Sequence, residues 1–333
     1  YAVPEGFGLK NFKNTADIEI NILRWWQHRI FRNSGVSADG TEIYLDTDWL
    51  TSLQSTAYSD RITWIENAYE FIDQPGEWYL NRSESKLYYK PDGSMDGKSA
   101  TLPVTEQLLV FEGTENITFD GVKFEDTSWL TPNEIGYNDA QSGTYAQHNG
   151  VWGDVPGAIE THAAKNITIT NSELRNLGIG GIRIGNGSSD CAITNSAIHD
   201  ISSSGIFIGN NTGHNHGYCD PGTDVTGVVV RNNYITRTGL DIFGSSAICA
   251  LYTSDTVIDH NEVCYTTYTG ISLGWGWDWK NAPCSGNNTV SNNYIHDTGK
   301  TIHDGGSFYS LGLQEGTKVF GNYLHHHSDG LYD

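Results

Sequence analysis

The chain has 333 residues, a formal net charge of −21 and only 18% charged residues, so acidic side chains dominate its charge. Such a surface argues against nucleic acid as a partner, because neutralising phosphates needs clustered lysine and arginine. It also argues against anionic membranes, and no apolar run reaches the roughly 18 residues that a transmembrane helix needs.

The first third is predicted to be an irregular β-rich module spanning residues 1–105. Its strand-like segments, among them ADIEINILRWWQHRIF and TEIYLDTDWL, show no repeat. The runs EWYLN and LYYK flank a polar RSES turn, a pattern typical of a β-hairpin. We therefore expect a module with a hairpin that caps or decorates the rest of the chain.

A repeat begins near Asn116 and continues to the last residue. Each unit has a short apolar strand ending in Asn or Asp, an aliphatic or Tyr pair, a glycine turn, and a second strand such as GIRIG, GIFIG or GISLG. The period is about 24 to 32 residues, the range in which solenoids occur. The sequence therefore predicts an all-β protein whose residues 106–333 form a right-handed parallel β-helix, a pectin-lyase-like solenoid that is incomplete at its C-terminal end.

An asparagine recurs at one phase of the repeat, and we expect it to form an internal hydrogen-bonded ladder. The residues of this predicted ladder are Asn171, Asn195, Asn233, Asn261, Asn293 and Asn322. The triplet Ile-His-Asp recurs at 198–200 and 295–297, and a recurring position is typical of scaffold rather than catalysis.

Aromatic and acidic side chains follow the second strands of the last units. Trp275, Trp277 and Trp279 alternate along a strand-like run, so they are predicted to face one side and to stack on sugar rings, with burial in a core as the alternative. Further predicted substrate-binding residues are His303, Tyr309 and His327.

Asp304 is the strongest candidate for a catalytic residue. It lies between His303 and two glycines, which allow a ligand or backbone to approach closely. Glycoside cleavage needs two carboxyl groups, and neighbouring coils of a β-helix lie only about 4.8 Å apart. Asp278 and Asp333, or Asp329, recur at a similar phase, so they are the predicted partners.

Cysteines and glycosylation sequons indicate a secreted protein. The five cysteines show no CxxC spacing, which argues against zinc, and they suit one or two disulfides or simply buried thiols. Sequons for N-glycans begin at Asn81, Asn116, Asn166, Asn186, Asn210 and Asn287. No cofactor is predicted, and calcium enters only as an aid to binding an acidic polysaccharide.

The run TSDTVIDHNEVCYTTYTGISLGWGWDW and the following IHDGGSFYSLG resemble the β-helix proteins of glycoside hydrolase family 141. This resemblance implies a secreted hydrolase of plant or microbial polysaccharide with fucosidase- or xylanase-like activity. It also implies carboxylates in the DGG turn, here Asp304, and in a Y-x-D-E-G-S motif. Of that motif this chain supplies Tyr332 and, at the x position, Asp333.

Two other functions remain open on the sequence. A polysaccharide lyase or epimerase needs a base such as Lys, Arg, Tyr or His, and the basic candidates in the repeat are Arg183, Lys280 and Lys300. A non-catalytic glycan-binding β-helix would use the same aromatic residues without cleaving the sugar.

Overall fold

A computed structural model describes residues 1–3, 8–46, 62–146, 152–209, 222–276 and 284–328. Three parallel seven-stranded sheets, here called A, B and C, wrap around one core, and each turn of the chain adds one strand to every sheet. We number these turns as coils 1 to 7. The predicted all-β, parallel β-helix architecture is confirmed.

Each sheet takes its strands from successive coils in chain order. Sheet A contains Leu109–Glu112, Gly157–His162, Gly180–Ile184, Ile206–Gly209, Ile248–Leu251, Ile271–Leu273 and Phe308–Ser310. Sheet B contains Glu115–Asp120, Lys165–Thr170, Ala192–Thr194, Val229–Arg231, Val257–Asp259, Thr289–Ser291 and Lys318–Phe320. Sheet C contains Lys123–Thr127, Glu173–Leu177, Ala197–Ile201, Tyr234–Thr238, Glu262–Cys264, Tyr294–His296 and Tyr323–His325. A short parallel pair, Val225–Thr226 with Thr253–Ser254, extends sheet B.

Aliphatic side chains stack in register through the core. In sheet A, Ile159, Ile182, Ile206, Ile248 and Ile271 pair in sequence from coil 2 to coil 6, and all are buried. Burying one such side chain contributes about 1.5–3 kcal/mol. A single coil buries little by itself, so the stack of coils holds the fold together.

The predicted asparagine ladder forms, but two of its members lie elsewhere. The Oδ1 atoms of Asn261, Asn293 and Asn322 each accept the backbone N–H of the ladder residue one coil earlier, at 2.9 to 3.0 Å. Asn171 and Asn195 instead occupy the preceding turn position, with φ near +51° and exposed side chains. Serines occupy the ladder position in coils 2 and 3, where Ser172 and Ser196 accept the corresponding N–H groups.

The N-terminal module forms a second, antiparallel sheet that contains strands from both sides of residue 105. Its strands are Glu19–Arg24, Gln27–Val36, Ile43–Leu45, Trp64–Glu66, Tyr137–Gln141, Thr144–Ala146 and Trp152–Asp154. The last three come from a segment between coils 1 and 2, and Tyr137–Gln141 pairs with Gln27–Val36. The predicted division at residue 105 therefore separates strands that belong to one sheet.

Smaller elements complete the described part of the chain. The hairpin of Trp78–Asn81 with Lys86–Tyr89 confirms the predicted one. One short α-helix spans Thr131–Ile135, and 3₁₀ turns span Leu9–Asn11, Thr15–Asp17 and Tyr69–Phe71. No helix among the described residues is long and apolar enough to cross a membrane.

The described cysteines include both states expected from the sequence. Cys191, Cys249 and Cys264 are free and buried, whereas Cys284 is disulfide-bonded. The side chain of Asn81, the first of the sequon asparagines, is buried, and its Oδ1 accepts hydrogen bonds from the Ser83 hydroxyl and the Glu84 N–H. Glycosylation at Asn81 and at the other sequons stays a prediction.

Candidate active site

The turn between sheet C of coil 6 and sheet A of coil 7, residues 297–307, carries Asp304. Its backbone lies along the corresponding turn of coil 5, where Gly299 N–H donates to Tyr268 O at 2.8 Å and Ile302 N–H donates to Thr267 O at 2.9 Å. These bonds fix the path of the turn, so Asp304 has a defined position, and its side chain is partly exposed.

Gly305 allows this turn to approach Tyr268. A Cβ atom at Gly305 would lie 2.9 Å from the Tyr268 ring and 2.6 Å from the Thr269 hydroxyl, so a larger residue would push the turn away. The sequence argument for close approach at the two glycines after Asp304 holds here. The neighbour that approaches is the protein's own tyrosine.

Tyr268 is almost fully buried behind Asp304. Its hydroxyl accepts a hydrogen bond from Gln141 Nε2 at 3.0 Å. Burial raises the pKa of Tyr268 well above that of a free phenol, and the nearby charges of Asp304, Tyr309 and Asp139 raise it further. Tyr268 is therefore a neutral hydrogen-bond donor near Asp304 and a poor base.

Asp139 adds a second carboxyl group near Tyr268, from the antiparallel sheet. It is 0% exposed, and its oxygens accept hydrogen bonds from the His28 N–H at 3.0 Å and the Tyr137 hydroxyl at 3.4 Å. Burial raises the pKa of Asp139 to about 8, against the lowering effect of these bonds and of Arg29. At neutral pH this acid therefore holds its proton.

Both predicted histidines contact the turn that carries Asp304. His303 is exposed, and its Nδ1 lies 2.8 Å from Gly299 O. His327 follows sheet C of coil 7, where its Nδ1 lies 2.8 Å from the Thr298 hydroxyl and its ring packs against Gly299. Their role in binding substrate stays a prediction.

Trp275 does not belong to this site. It is 1% exposed and packs among Phe207, Cys249, Leu251 and Tyr252 outside sheet A. The prediction that Trp275 stacks on sugar is therefore wrong, because no face of its indole is open. Trp277, Asp278, Trp279 and Lys280, with Asp329 and Asp333, lie outside the described residues.

The described basic candidates for a lyase are engaged elsewhere. Arg183 donates to Glu160 at 2.5 Å and to Asp154 at 2.8 Å, and its side chain is 12% exposed. Lys300 pairs with Asp297 at 2.8 Å. Neither is arranged to remove a proton from a substrate near Asp304.

Three residues of this site were not found from the sequence: Asp139, Gln141 and Tyr268. Asp139 and Gln141 lie in a segment that reads as a polar insertion between repeats, and Tyr268 lies in a turn that reads as ordinary repeat. The only available signal was that insertions on a β-helix tend to carry function.

The model of the family described as "Right handed beta helix region" matches residues 157–332, more than half of the chain. The chain belongs to this right-handed β-helix family. A search of curated protein sequences finds no match.

Solved structures that are similar to this chain include one that shares its fold. One described as "Glycoside hydrolase" is 24% identical, with a TM-score of 0.80 over 96% of this chain and 62% of its own. This chain thus spans less than two thirds of that protein. A complex of XylC with xylose has 11% identity and a TM-score of 0.39, covering 77% of this chain and 48% of its own. An alginate lyase from Paenibacillus sp. str. FPU-7 has 17% identity and a TM-score of 0.33, covering 64% and 74%.

Proposed function

We propose that this β-helix protein is part of a secreted glycoside hydrolase that acts on a plant or microbial polysaccharide. The observation that carries the proposal is the setting of Asp304, a partly exposed carboxylate on a turn that approaches the buried Tyr268 closely at Gly305. His303 is exposed on the same turn and offers its imidazole to a substrate, and His327 of coil 7 packs against that turn. The shared fold with a structure described as a glycoside hydrolase agrees with this assignment.

In this proposal Asp304 is one of the two carboxyl groups that flank the scissile bond. One group protonates the leaving oxygen, and the other acts as base or nucleophile. Asp278 and Asp333 remain the proposed partners of Asp304. Trp277, Trp279 and Tyr309 are the proposed sugar-stacking residues.

The role of Tyr268 follows from its burial. A protonated phenol beside Asp304 can stabilise the ionised carboxylate, while Gln141 holds the phenol oxygen in place. Tyr268 and Gln141 are proposed as positioning residues, because both side chains are buried and out of reach of solvent.

A lyase on the same fold is the second candidate function. It needs a base beside the sugar ring; Arg183 and Lys300 are held in ion pairs and burial keeps Tyr268 protonated, so the exposed His303 is the candidate base beside Asp304. A partly exposed carboxylate such as Asp304 suits the acid–base chemistry of glycoside cleavage instead.

The test is the Asp304→Asn substitution, assayed on fucosylated polysaccharides and xylans by release of reducing ends. We expect at least about a 100-fold loss of turnover with an unchanged melting temperature, since a positioned acid or base contributes about 10²–10⁴-fold. The matched control is Asp255→Asn, which changes an exposed aspartate in a turn of sheet B and is expected to keep full activity.

Three results would contradict the proposal. Unchanged turnover in D304N would remove Asp304 from the mechanism. An unsaturated uronate product from the unmodified protein would identify a lyase. Glycan binding without any released sugar would identify a binding module.

A further inference from the structure

The outward face of sheet C carries three side chains of the types that bind zinc. Glu262 and Cys264 belong to coil 5, and His296 of coil 6 pairs in register with Cys264. One ligand atom from each residue lies within 4.8 Å of those of the other two. Carboxylate oxygen, thiolate sulfur and imidazole nitrogen are the ligand atoms of zinc in proteins.

His296 is already oriented as a metal ligand would be. Its Nδ1 lies 2.9 Å from the Asp297 carboxylate, which Lys300 also holds at 2.8 Å. In the tautomer whose Nδ1–H donates to Asp297, Nε2 is the ring nitrogen that can bind a metal. Histidine ligands of metals commonly have such a carboxylate behind them.

The other ring nitrogen of His296 faces the second carboxylate of the cluster. Nε2 lies 3.3 Å from Glu262 Oε1, so the imidazole lies between the carboxylates of Asp297 and Glu262. A nitrogen from coil 6 and an oxygen from coil 5 are thus side by side at this point of the surface.

An earlier pair of coils has the same arrangement, a histidine between two carboxylates, with an arginine beside it. His199 lies with Nδ1 2.7 Å from Asp200 and Nε2 3.2 Å from Glu173. Its in-register neighbour is Arg175, whose guanidinium lies 3.8 Å from Glu173. Cys264 occupies the matching position in coil 5, so a metal ligand stands there in place of a fixed cation.

The surroundings of the cluster suit a soft metal ion, and one side of the cluster is open to solvent. Cys264 is buried, and its sulfur contacts the hydroxyls of Thr236 at 3.5 Å and Tyr234 at 3.8 Å. The ring of Tyr294 stacks on His296 at 4.3 Å. The side chain of Glu262 is 45% exposed, which leaves a path from solvent.

We propose that Glu262, Cys264 and His296 bind a zinc ion that joins coil 5 to coil 6. Three protein ligands and one water complete a tetrahedron, and the Cys264 thiol releases its proton to solvent on binding. Zinc–ligand bonds of about 2.0–2.3 Å place the ligand atoms roughly 3.3–3.8 Å apart. Side-chain rotations that move these atoms by about 1 Å therefore bring all three to bonding distance of one zinc ion. The site is independent of the proposed glycan cleavage.

The test uses cobalt(II) as a spectroscopic probe for zinc in the full, tag-free chain after treatment with a chelator. We expect one equivalent of cobalt to give a thiolate-to-metal charge-transfer band that added zinc removes. Cys264→Ser is expected to abolish the band. Cys191→Ser, which removes another buried free thiol, is expected to keep it.

A charge-transfer band that persists in C264S, or no band with the unmodified protein, would overturn the proposal. Should C264S fail to fold by circular dichroism, Asp297→Asn decides the matter. This variant keeps all three ligands but removes the partner of His296, so zinc affinity is expected to fall about 10- to 100-fold. Unchanged zinc affinity in D297N would likewise overturn the site.

Discussion

At the scale of single residues, the described chain contains two buried ionisable groups whose pKa values shift in opposite directions. Burial raises the pKa of Asp139 to about 8 and lowers the pKa of His28 to about 3. The His28 ring is also fixed as neutral by its partners, because Nδ1 lies 3.3 Å from the donating Phe243 N–H and Nε2 lies 2.8 Å from Asn21 Oδ1. Both groups are therefore uncharged in the folded protein at neutral pH.

These shifts predict a pH dependence of stability that one substitution isolates. In the unfolded chain Asp139 ionises near pH 4, but in the folded chain it keeps its proton up to about pH 8. The folded state thus binds more protons across this window, and the contribution of Asp139 to the free energy of unfolding falls as pH rises from about 4 to about 8. His28 acts below about pH 6.5, where the folded chain resists the proton that the unfolded chain accepts.

We expect Asp139→Asn to become more stable relative to the unmodified protein as pH increases from 4 to 8, with no further change above. Denaturant unfolding of both proteins at several pH values measures this difference, and the His28 contribution cancels because both proteins contain it. A difference independent of pH would show that Asp139 ionises normally.

The candidate site shows which residue-level features a sequence reveals. His303 and Asp304 are neighbours in sequence and His327 follows one coil later, so the repeat alone placed them together. The alternation along the WGW run predicts to which side of the strand Trp275 points, but it does not show what covers that side. The sequence therefore left burial as an alternative, and only three-dimensional packing shows the indole enclosed beside Tyr252.

At the scale of elements, the ladder explains why each coil ends sheet B in the same way. The Asn261 amide accepts from Asn233 N–H at 3.0 Å and donates to Val230 O at 2.9 Å, so one side chain satisfies two buried backbone groups. The sequence predicted this element, but the spacing of Asn171 and Asn195 misled by one residue. In those coils the preceding position needs φ near +51°, a conformation that Asn also favours.

We expect Asn261→Ala to destabilise the protein strongly. It leaves the Asn233 N–H and the Val230 carbonyl buried without this partner, at about 1–3 kcal/mol for each group. Denaturant unfolding gives the change in free energy. The matched control is Asn195→Gly, which keeps the positive φ and loses one exposed hydrogen bond to Asn232, so its effect is expected to stay within about 0.5 kcal/mol.

Equal effects of N261A and N195G would show that the buried asparagine ladder contributes no more to stability than the exposed hydrogen bond between Asn232 and Asn195. Asn261→Ser offers a further check, since Ser172 and Ser196 fill the same position in earlier coils. A serine hydroxyl can accept the N–H of Asn233, so N261S is expected to be less destabilised than N261A.

The proposed zinc site illustrates a limit of reading elements from sequence. Glu262 and Cys264 lie in one coil and His296 in the next, so their separation in sequence has none of the short spacings that mark zinc motifs. Parallel register turns that long separation into contact between neighbouring strands. Such sites become visible only when the exact pairing of the coils is known.

At the scale of the whole molecule, the antiparallel sheet packs against the β-helix, and Phe243 and Gly244 make one of the contacts. Phe243, from the turn between coils 4 and 5, stacks on His28 with ring centroids 4.7 Å apart and lies 5.6 Å from Trp64. Gly244 follows, so close to the sheet that a Cβ atom would lie 1.7 Å from Asp139 Oδ2. The repeat predicts the β-helix from the sequence, but no local sequence pattern indicates a contact between segments more than 100 residues apart.

This contact predicts that Gly244→Ala separates the β-helix from the antiparallel sheet at this point. The added methyl group cannot fit against Asp139 Oδ2 or the Trp26 carbonyl, 3.2 Å away, so the turn must move off the sheet. We expect a loss of about 1–3 kcal/mol, the usual cost of overpacking.

Because Asp139 also lies close to Tyr268, glycan turnover is expected to fall with it. Hydrogen exchange is expected to quicken in the strand Gln27–Val36, which pairs with Tyr137–Gln141. Gly8→Ala, with no atom within 4 Å of the added carbon, is the control. If G244A matches G8A in both stability and exchange, the two layers do not depend on this contact.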